Sequence, residues 1–206
     1  MSKDMFFHLN GVIVIKTLEE KILKEGQIFP GNVLRVSGFL NQQIDTEFLP
    51  EIGKEISRLF KDSGVTKILT VEASGIAIAV AAAYEMKVPV VFAKKGNPSN
   101  LSKDCYSADA VSYTKHMTNK LSVSKEYIDT KDRVLVLDDF LATGEAINAL
   151  ENIVKQAGAT LVGVTSVIEK GFQQGGDNMR ERGVRVESLA IIDSMTENSI
   201  VFRKQN

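Results

Sequence analysis

The sequence predicts an α/β fold in which a central, mostly parallel sheet is flanked by helices. Short, largely apolar runs such as residues 67–71 and 134–137 are typical of strands buried on both faces of such a sheet. Segments with apolar residues at helical spacing alternate with these runs, which is the pattern of βαβ units. Small and polar residues follow several of the runs, at the strand ends where open α/β sheets bind their ligands.

Composition sets the class of protein. The chain has 206 residues, with 25 basic and 26 acidic side chains, so no global charge attracts nucleic acid or a membrane surface. We expect one domain over residues 17–206, preceded by an extension of unclear role over residues 1–16. Cys105 is the single cysteine, which excludes an internal disulfide and is typical of a reducing cytoplasm. No apolar run is long enough to span a bilayer, so we expect a soluble cytoplasmic protein.

The amino-terminal part is the hardest to interpret. Residues 1–16 carry no recognisable motif, and three states remain open: an extra strand, an extension upstream of the true start, or a disordered arm. A short amphipathic helix should follow, with Leu18, Ile22 and Leu23 on one face, and Gly26 should end it.

The remaining elements follow from spacing and from turn residues. Residues 28–40 should be extended and looping, Asp45 is a good N-cap for a longer helix, and Gly64 should end that helix. Further strands are expected at residues 67–71, 88–92, 108–113, 120–124, 134–137, 160–168, 184–190 and 200–202, and further helices at 76–86 and around 147–154.

The chain is organised around residues 133–146, RVLVLDDFLATGEA. The apolar run ends in Asp138 and Asp139, which we expect to face solvent beyond the strand. A small-residue turn then opens a helix, whose free N–H groups would bind an anion such as phosphate. The sequence contains neither the glycine–lysine motif of P-loop proteins nor G-x-G-x-x-G, which removes the usual nucleotide and dinucleotide interpretations.

An apolar run, two acids, two apolar residues and Ala-Thr-Gly resemble the phosphoribosyl pyrophosphate (PRPP) signature of type I phosphoribosyltransferases. The resemblance implies transfer of a 5-phosphoribosyl group from PRPP to a base, on a domain with a small hood formed by the amino- and carboxyl-terminal segments. It makes Asp138 and Asp139 the catalytic pair. It assigns PRPP binding to Ala142, Thr143, Gly144, Glu145 and Ala146. Many relatives have glycine and threonine where this chain has Glu145 and Ala146, so phosphate capture would depend on backbone amides, Thr143 and the helix dipole.

Two further loops match pyrophosphate-binding positions of that family. Ala73, Ser74 and Gly75 lie between an expected strand and helix, where the backbone amides of relatives hold the pyrophosphate. Lys94 and Lys95 match a lysine-bearing loop that neutralises the same group. Taken alone, the first loop is an ordinary strand-to-helix turn and the second a solvated basic turn.

A flap is expected at the end of the predicted strand at residues 108–113. Ser112, Tyr113, Thr114 and Lys115 fall where relatives carry a mobile segment that closes over the ligands. Closure would exclude water and protect PRPP from hydrolysis. An ordinary polar loop is the alternative.

Longer segments resemble the branch of the family that acts on xanthine: VLRVSGFLNQQID, VEASGIAIAV, KQAGA, VIEKGFQQG and RVESLA. In that branch a lysine contacts the purine, and Lys170 stands at the matching position, while Leu34 and Asn41 fill the hood positions that contact the base. A cation at Lys170 would favour the oxygen-rich xanthine ring over adenine. The alternative is an ordinary surface lysine.

The resemblance also implies partners. Mg²⁺ would arrive with PRPP, bound through oxygens, because the sequence shows no dedicated metal site. A homodimer is expected. Two other functions stay open: salvage of hypoxanthine, guanine or adenine by the same chemistry, and a non-catalytic PRPP-binding purine regulator. Such regulators carry a winged-helix domain, for which residues 1–16 are too short, and a basic surface that this composition does not suggest.

Overall fold

The computed structural model describes residues 3–96, 104–112 and 117–205, and their side chains except those of residues 3–13, 112 and 117. The helices are α1 Lys3–Glu25, α2 Leu49–Leu59, α3 Ser74–Met86, α4 Glu145–Gln156 and α5 Gly175–Glu181. The strands are β1 Gln27–Phe29, β2 Val33–Arg35, β3 Lys67–Val71, β4 Val90–Lys95, β5 Cys105–Ser112, β6 Met117–Ser124, β7 Arg133–Leu141, β8 Thr160–Lys170, β9 Val186–Thr196 and β10 Ser199–Phe202. None of the described helices is both long enough and apolar enough to cross a membrane.

Eight strands form one sheet in the order β10-β9-β8-β7-β3-β4-β6-β5. The five strands from β9 to β4 are mutually parallel, while β10 at one edge and the β5–β6 hairpin at the other are antiparallel. Parallel strands bring their carboxyl ends to the same edge, so the loops after β3, β4, β7 and β8 converge there. The predicted mostly parallel sheet is confirmed.

Two apolar clusters lie on the two faces of the sheet. Leu135 and Leu137 of β7 pack in the cluster with α1, α2 and α3, whereas Val134 and Val136 pack in the cluster with α4. Alternate side chains of a strand point to opposite faces, so a strand covered on both sides must be apolar at every position. This explains the unbroken run that precedes the acid pair.

The amino-terminal helix starts much earlier than expected. α1 is continuous from Lys3 to Glu25, so the expected start after residue 16 was wrong. Leu18 and Ile22 are fully buried, as expected, whereas Leu23 is 58% exposed and does not belong to the buried face. Gly26 follows the helix directly, as expected.

We expect a chain lacking residues 1–13 to keep its activity and to melt within a few degrees of the full chain. Val14 is the first helix side chain described as buried, at 8% exposed, so truncation should stop before it. As a control, Leu18→Ala should cost about 2–5 kcal/mol of unfolding free energy, because it leaves a cavity in the core. Calorimetric melting of both variants checks this. A large loss on truncation would show that residues 1–13 are part of the folded core.

The hood begins with a two-stranded hairpin of β1 and β2. Its turn places Gly31 and Asn32 at positive φ. A π-helical segment, Ser37–Asn41, then carries Asn41 toward the sheet. The Asp45 carboxylate accepts the backbone N–H groups of Glu47 and Phe48, both at 3.0 Å. Asp45 therefore caps the turn that leads into α2, and the first residue of α2 is Leu49.

Two strands extend beyond their apolar runs. β7 continues to Leu141, so Asp138 and Asp139 lie within the strand and are only 6% and 8% exposed. The expectation of solvent-facing acids beyond the strand end was wrong. Backbone pairing with β8 continues as far as Leu141 and Glu169, and it holds a strand together whatever the polarity of its side chains. For the same reason β4 includes Lys94 and Lys95, which pair with β6.

Candidate active site

The centre of the site is the acid pair of β7. The two carboxylates point in different directions, because successive side chains of a strand alternate. A Cβ added to Gly75 would lie 3.3 Å from Asp138 Oδ1, so Asp138 borders the loop after β3. Asp139 Oδ2 accepts a hydrogen bond of 3.2 Å from Asn41 Nδ2 and therefore faces the hood. The pair thus contacts two other parts of the site at once.

Asp138 is held in an unusual electrostatic environment. Burial and the negative charge of Asp139 raise the pKa of Asp138 well above its ordinary value, and the positive charge of Lys95 opposes this only in part. The backbone N–H of Asp139 donates to Asp138 Oδ1 at 2.9 Å. A positive charge brought in by a ligand would favour the ionised form of Asp138. The site is therefore suited to stabilising a cation.

The loop after β3 lies directly beside the acid pair. α3 begins at Ser74, so the amides of residues 73–75 lie at a helix N-terminus, where an anion is favoured. Glu72 fixes this loop to β4, because its Oε1 accepts the backbone N–H of Lys95 at 2.7 Å. A Cβ at position 75 would lie 2.1 Å from Thr70 Oγ1, so only glycine fits there.

The loop after β7 forms a second turn that opens a helix. Gly144 has φ of +90° and precedes the first turn of α4, which begins at Glu145. The Thr143 hydroxyl donates to the Glu145 carboxylate. The loop rests on the start of α5, since the backbone N–H of Gly175 donates to the Ala142 carbonyl at 3.1 Å.

The positions predicted to contact the base lie on the hood side. Lys170, the last residue of β8, donates from Nζ to the Asn32 carbonyl at 2.8 Å and lies 5.6 Å from the centre of the Phe140 ring. Burial lowers the pKa of Lys170. Leu34 is buried in the core beneath the hood hairpin. Lys170 is thus held between the hood and β7.

The structure brings together Asp138, Asp139, Asn41 and residues 73–75, with Lys95 joined to them through Glu72. Lys170 lies toward the hood, beside Phe140. Of the expected flap, the Ser112 backbone belongs to β5, whereas Tyr113, Thr114 and Lys115 lie outside the described residues.

Sequence reasoning missed several residues around the site. Each of four such residues contacts a predicted site residue: Glu72, Asn32, Phe140 and Gly175. Two of them had a signal in the sequence: Glu72 directly precedes the Ala-Ser-Gly loop, and Phe140 directly follows the acid pair. Gly175 ends the VIEKGFQQG segment, but nothing local indicated its contact with Ala142. Asn32 had no signal. Both residues reach the site only through folding.

In the part of the chain that the structure describes, no three His, Cys, Asp or Glu side chains are grouped to hold a metal ion. The two β7 carboxylates supply hard oxygen donors, which suit a cation that also has ligands from a bound phosphate compound.

A parallel sheet whose β7 acid pair lies between two helix-initiating loops defines a class of enzymes that handle a phosphorylated sugar. Residues 42–193 match the phosphoribosyl transferase domain family, and the chain belongs to it. The curated relatives include xanthine phosphoribosyltransferase of Limosilactobacillus reuteri (strain DSM 20016), which is 49% identical over 190 residues, 92% of this chain and 100% of that protein. The protein of the same name from Bacillus cereus (strain AH187) is 50% identical over 191 residues, 93% of this chain and 97% of that protein.

Solved structures show the same fold at lower identity. Adenine phosphoribosyltransferase from Rhodothermus marinus superposes with a TM-score of 0.70 at 23% identity, covering 88% of this chain and 99% of that one. The Trypanosoma brucei enzyme, in complex with AMP, pyrophosphate and ribose-5-phosphate, gives a TM-score of 0.69 at 24% identity, covering 84% of this chain and 79% of that one. The predicted family and the predicted type I phosphoribosyltransferase fold are confirmed.

Proposed function

We propose that this chain is a xanthine phosphoribosyltransferase, which converts xanthine and PRPP to xanthosine 5′-monophosphate and pyrophosphate. The observation that carries the proposal is the position of the acid pair: Asp138 borders the loop of residues 73–75, and Asp139 is bonded to Asn41 of the hood. Ribose would therefore lie between a pyrophosphate site and a base site. Near full-length similarity to curated enzymes of that name supports the choice of base.

The reaction breaks the bond between C1′ of the ribose and the pyrophosphate oxygen, and forms a bond from C1′ to a purine nitrogen, which loses its proton. The ribose becomes positively charged in the transition state, while the departing pyrophosphate gains negative charge. Asp138 and Asp139 would stabilise the ribose cation. The amides of Ala73, Ser74 and Gly75, together with Lys94 and Lys95, would stabilise the pyrophosphate.

The loop after β7 would bind the 5′-phosphate of PRPP. Its five residues surround the N-terminus of α4, where unpaired amides and the helix dipole favour an anion. These residues are Ala142, Thr143, Gly144, Glu145 and Ala146. The Thr143 hydroxyl donates to the Glu145 carboxylate in this structure. To donate to a bound phosphate, it would have to turn away from Glu145.

Mg²⁺ would be held by oxygens of PRPP together with Asp138 or Asp139. When bound, the ion would neutralise negative charge on the pyrophosphate. Residues 112–115 would close over this part of the site as a flap.

The decisive experiment is to measure pyrophosphate release from PRPP and Mg²⁺ with xanthine, hypoxanthine, guanine and adenine in turn. The highest kcat/KM should belong to xanthine. If another purine has the highest kcat/KM, the proposed phosphoribosyl transfer stands, but xanthine is not the preferred base. Inactivity with all four bases, combined with a mobility shift of DNA that responds to PRPP, would favour the regulator instead.

We expect Lys170→Ala to raise the KM for xanthine about tenfold to a hundredfold, with a smaller effect on the KM for PRPP. A charged hydrogen bond contributes roughly 1.5–3 kcal/mol, and Lys170 is the cation beside Phe140 in the base region. Steady-state kinetics with three oxopurines show which edge Lys170 contacts: equal losses indicate the shared 6-oxo group, and a loss confined to xanthine indicates the 2-oxo group. We expect equal losses.

The control for this variant is Lys131→Ala, at an exposed lysine far along the chain from the base region. It should leave every KM unchanged. If Lys170→Ala behaves in the same way, Lys170 does not contact the base, and selectivity would have to come from Leu34 and Asn41.

A homodimer and a cytoplasmic location complete the proposal. Exposed apolar side chains support a partner surface, since Val80 and Tyr84 lie one turn apart on α3 and are both exposed. Light scattering after size-exclusion chromatography should give twice the chain mass of 22.6 kDa.

A further inference from the structure

A network of ion pairs holds α5 against the ends of β8 and β9. Glu169 of β8 is fully buried and accepts two hydrogen bonds from Arg180, at 2.8 and 2.7 Å, and one from Ser188 at 2.5 Å. Asp177 accepts one from Arg180 at 2.9 Å and two from Arg203, at 2.9 and 3.1 Å. We call Glu169, Asp177, Arg180 and Arg203 the anchor network.

The anchor network reaches the base side of the site. Glu169 directly precedes Lys170. The ion pair with Arg180 that orients Glu169 therefore limits the movement of Lys170 as well. Arg203 packs against Gly171 on the other side of Lys170, since a Cβ added at Gly171 would lie 2.9 Å from Arg203 Nη2. Lys170 is therefore flanked in sequence by two residues that the network holds.

The same network reaches the phosphate side. A Cβ added at Gly176 would lie 2.2 Å from Glu169 Oε1, so the first turn of α5 packs directly on the buried carboxylate. The preceding residue, Gly175, donates its N–H to Ala142 at 3.1 Å. Its added Cβ would lie 2.2 Å from the Ala142 carbonyl oxygen. One short segment thus fills the space between Glu169 and the loop after β7.

The chemistry of these contacts imposes a single geometry. α5 has seven residues, too few for a helix that is stable by itself, so its position depends on its contacts. Paired arginine–carboxylate hydrogen bonds fix orientation as well as distance, and a buried carboxylate cannot exchange its partner for water at low cost.

We propose that Asp177, Arg180 and Arg203 are positioning residues, which set the spacing between the phosphate loop of residues 142–146 and Lys170. The inference rests on the proposed function, because that function requires a single nucleotide to span both places. Loss of the network should then weaken both ends of the substrate site together, although none of these three residues is among the predicted substrate-contacting positions.

The test compares two chemically identical substitutions. Asp177→Asn removes the carboxylate that holds Arg180 and Arg203, whereas Asp193→Asn removes the other carboxylate of Arg203, bonded to its Nε at 2.8 Å, and leaves α5 anchored. The two side chains are similarly exposed, at 37% and 41%. Asp177→Asn should lower kcat/KM about tenfold or more for both xanthine and PRPP, as displacement of a bound group does, and should weaken binding of ribose 5-phosphate. Asp193→Asn should change none of these.

All measurements are made well below the melting temperature of each variant, so that loss of folded protein does not contribute. Equal kinetics for the two variants, with only the melting temperature lowered in Asp177→Asn, would overturn the inference. A loss confined to one substrate would also overturn it. Should Asp177→Asn fail to fold, Arg203→Gln replaces it, and Arg203→Lys should recover part of the activity.

The base panel with the unsubstituted chain separates this inference from the proposed function. Inactivity of that chain with every base would reject the function. Calorimetric binding of ribose 5-phosphate to Asp177→Asn and Asp193→Asn would still test the phosphate half of the anchor network.

Discussion

Asp138→Asn should lower kcat by about 10²–10³-fold, the loss usual for one group that stabilises charge in a transition state, while leaving the chain folded. The side chain borders the loop of residues 73–75, the proposed pyrophosphate site, beside which the ribose cation would form. The amide of asparagine has nearly the volume of the aspartate carboxylate but cannot neutralise a positive charge. Pyrophosphate release under saturating xanthine and PRPP measures the effect.

The same substitution should raise the melting temperature at neutral pH. The pKa of Asp138 is raised by burial and by the negative charge of Asp139. A carboxyl whose pKa is raised on folding binds its proton more tightly when folded, so it favours the folded state most at low pH and loses that benefit as the pH rises through the folded-state pKa. The amide resembles the protonated acid, so the increase in melting temperature of Asp138→Asn over the unsubstituted chain should be small near pH 4 and larger at neutral pH.

Asp132→Asn is the control with the opposite sign. Asp132 lies just before β7 and forms an ion pair of 2.9 Å with Lys67. Burial acts to raise its pKa, but hydrogen bonds from Lys67 and the Asp129 amide outweigh it, so the pKa is lowered overall. Such a group stabilises the fold above its unfolded-state pKa and loses this contribution as the pH falls through its folded-state pKa. Asp132→Asn should therefore have a lower melting temperature than the unsubstituted chain at neutral pH, and it should keep full activity.

Asp138→Asn and Asp132→Asn together separate the effect on catalysis from the effect on stability. Asp139→Asn, the substitution at the second acid of the pair, completes the test of the mechanism. Near-normal activity of both Asp138→Asn and Asp139→Asn would remove the acid pair from the mechanism. A lower melting temperature for Asp138→Asn at neutral pH would show that its charge is stabilised in the folded chain, contrary to the environment described above.

Gly144→Val should weaken PRPP binding by at least about tenfold. Gly144 has φ of +90°, a conformation that a β-branched residue strongly disfavours. Its added Cβ would also lie 2.9 Å from Met179 Cε and would obstruct the approach of phosphate to the loop amides. Calorimetric titration with PRPP and Mg²⁺ measures the affinity.

Gly183→Val supplies a matched control. Gly183 has φ of +81° and nothing within 4 Å of an added Cβ, so valine there imposes similar backbone strain away from the phosphate loop. Both variants should lose stability, but only Gly144→Val should lose affinity. Equal PRPP affinity in the two proteins would mean that Gly144 serves the helix turn alone.

Much of the fold could be predicted because its signals are local. The bounds of β3, Lys67–Val71, agree with the sequence prediction, and the buried face of α4 includes the expected Ile147, Leu150, Ile153 and Val154. Apolar periodicity reports which face of an element is buried, and this depends on the element itself. The family signature is equally local, since it occupies one continuous stretch of chain.

Other features depended on neighbours that are distant in sequence. The apolar run of β7 ends at Leu137, yet pairing with β8 extends the strand to Leu141 and buries Asp138 and Asp139. The contact of Lys170 with Asn32 joins residues 138 positions apart. No local pattern marks either contact.

The sequence by itself determined the class of fold, the family and the residue types available for the chemistry. Tertiary structure decided which acids are buried, which part of the hood contacts them, and how Glu169 and Arg203 reach both sides of Lys170. The physical reason is that periodicity and motifs record interactions within one segment. Burial, ion pairing and the pKa of Asp138 arise from the sum of segments that only folding brings together.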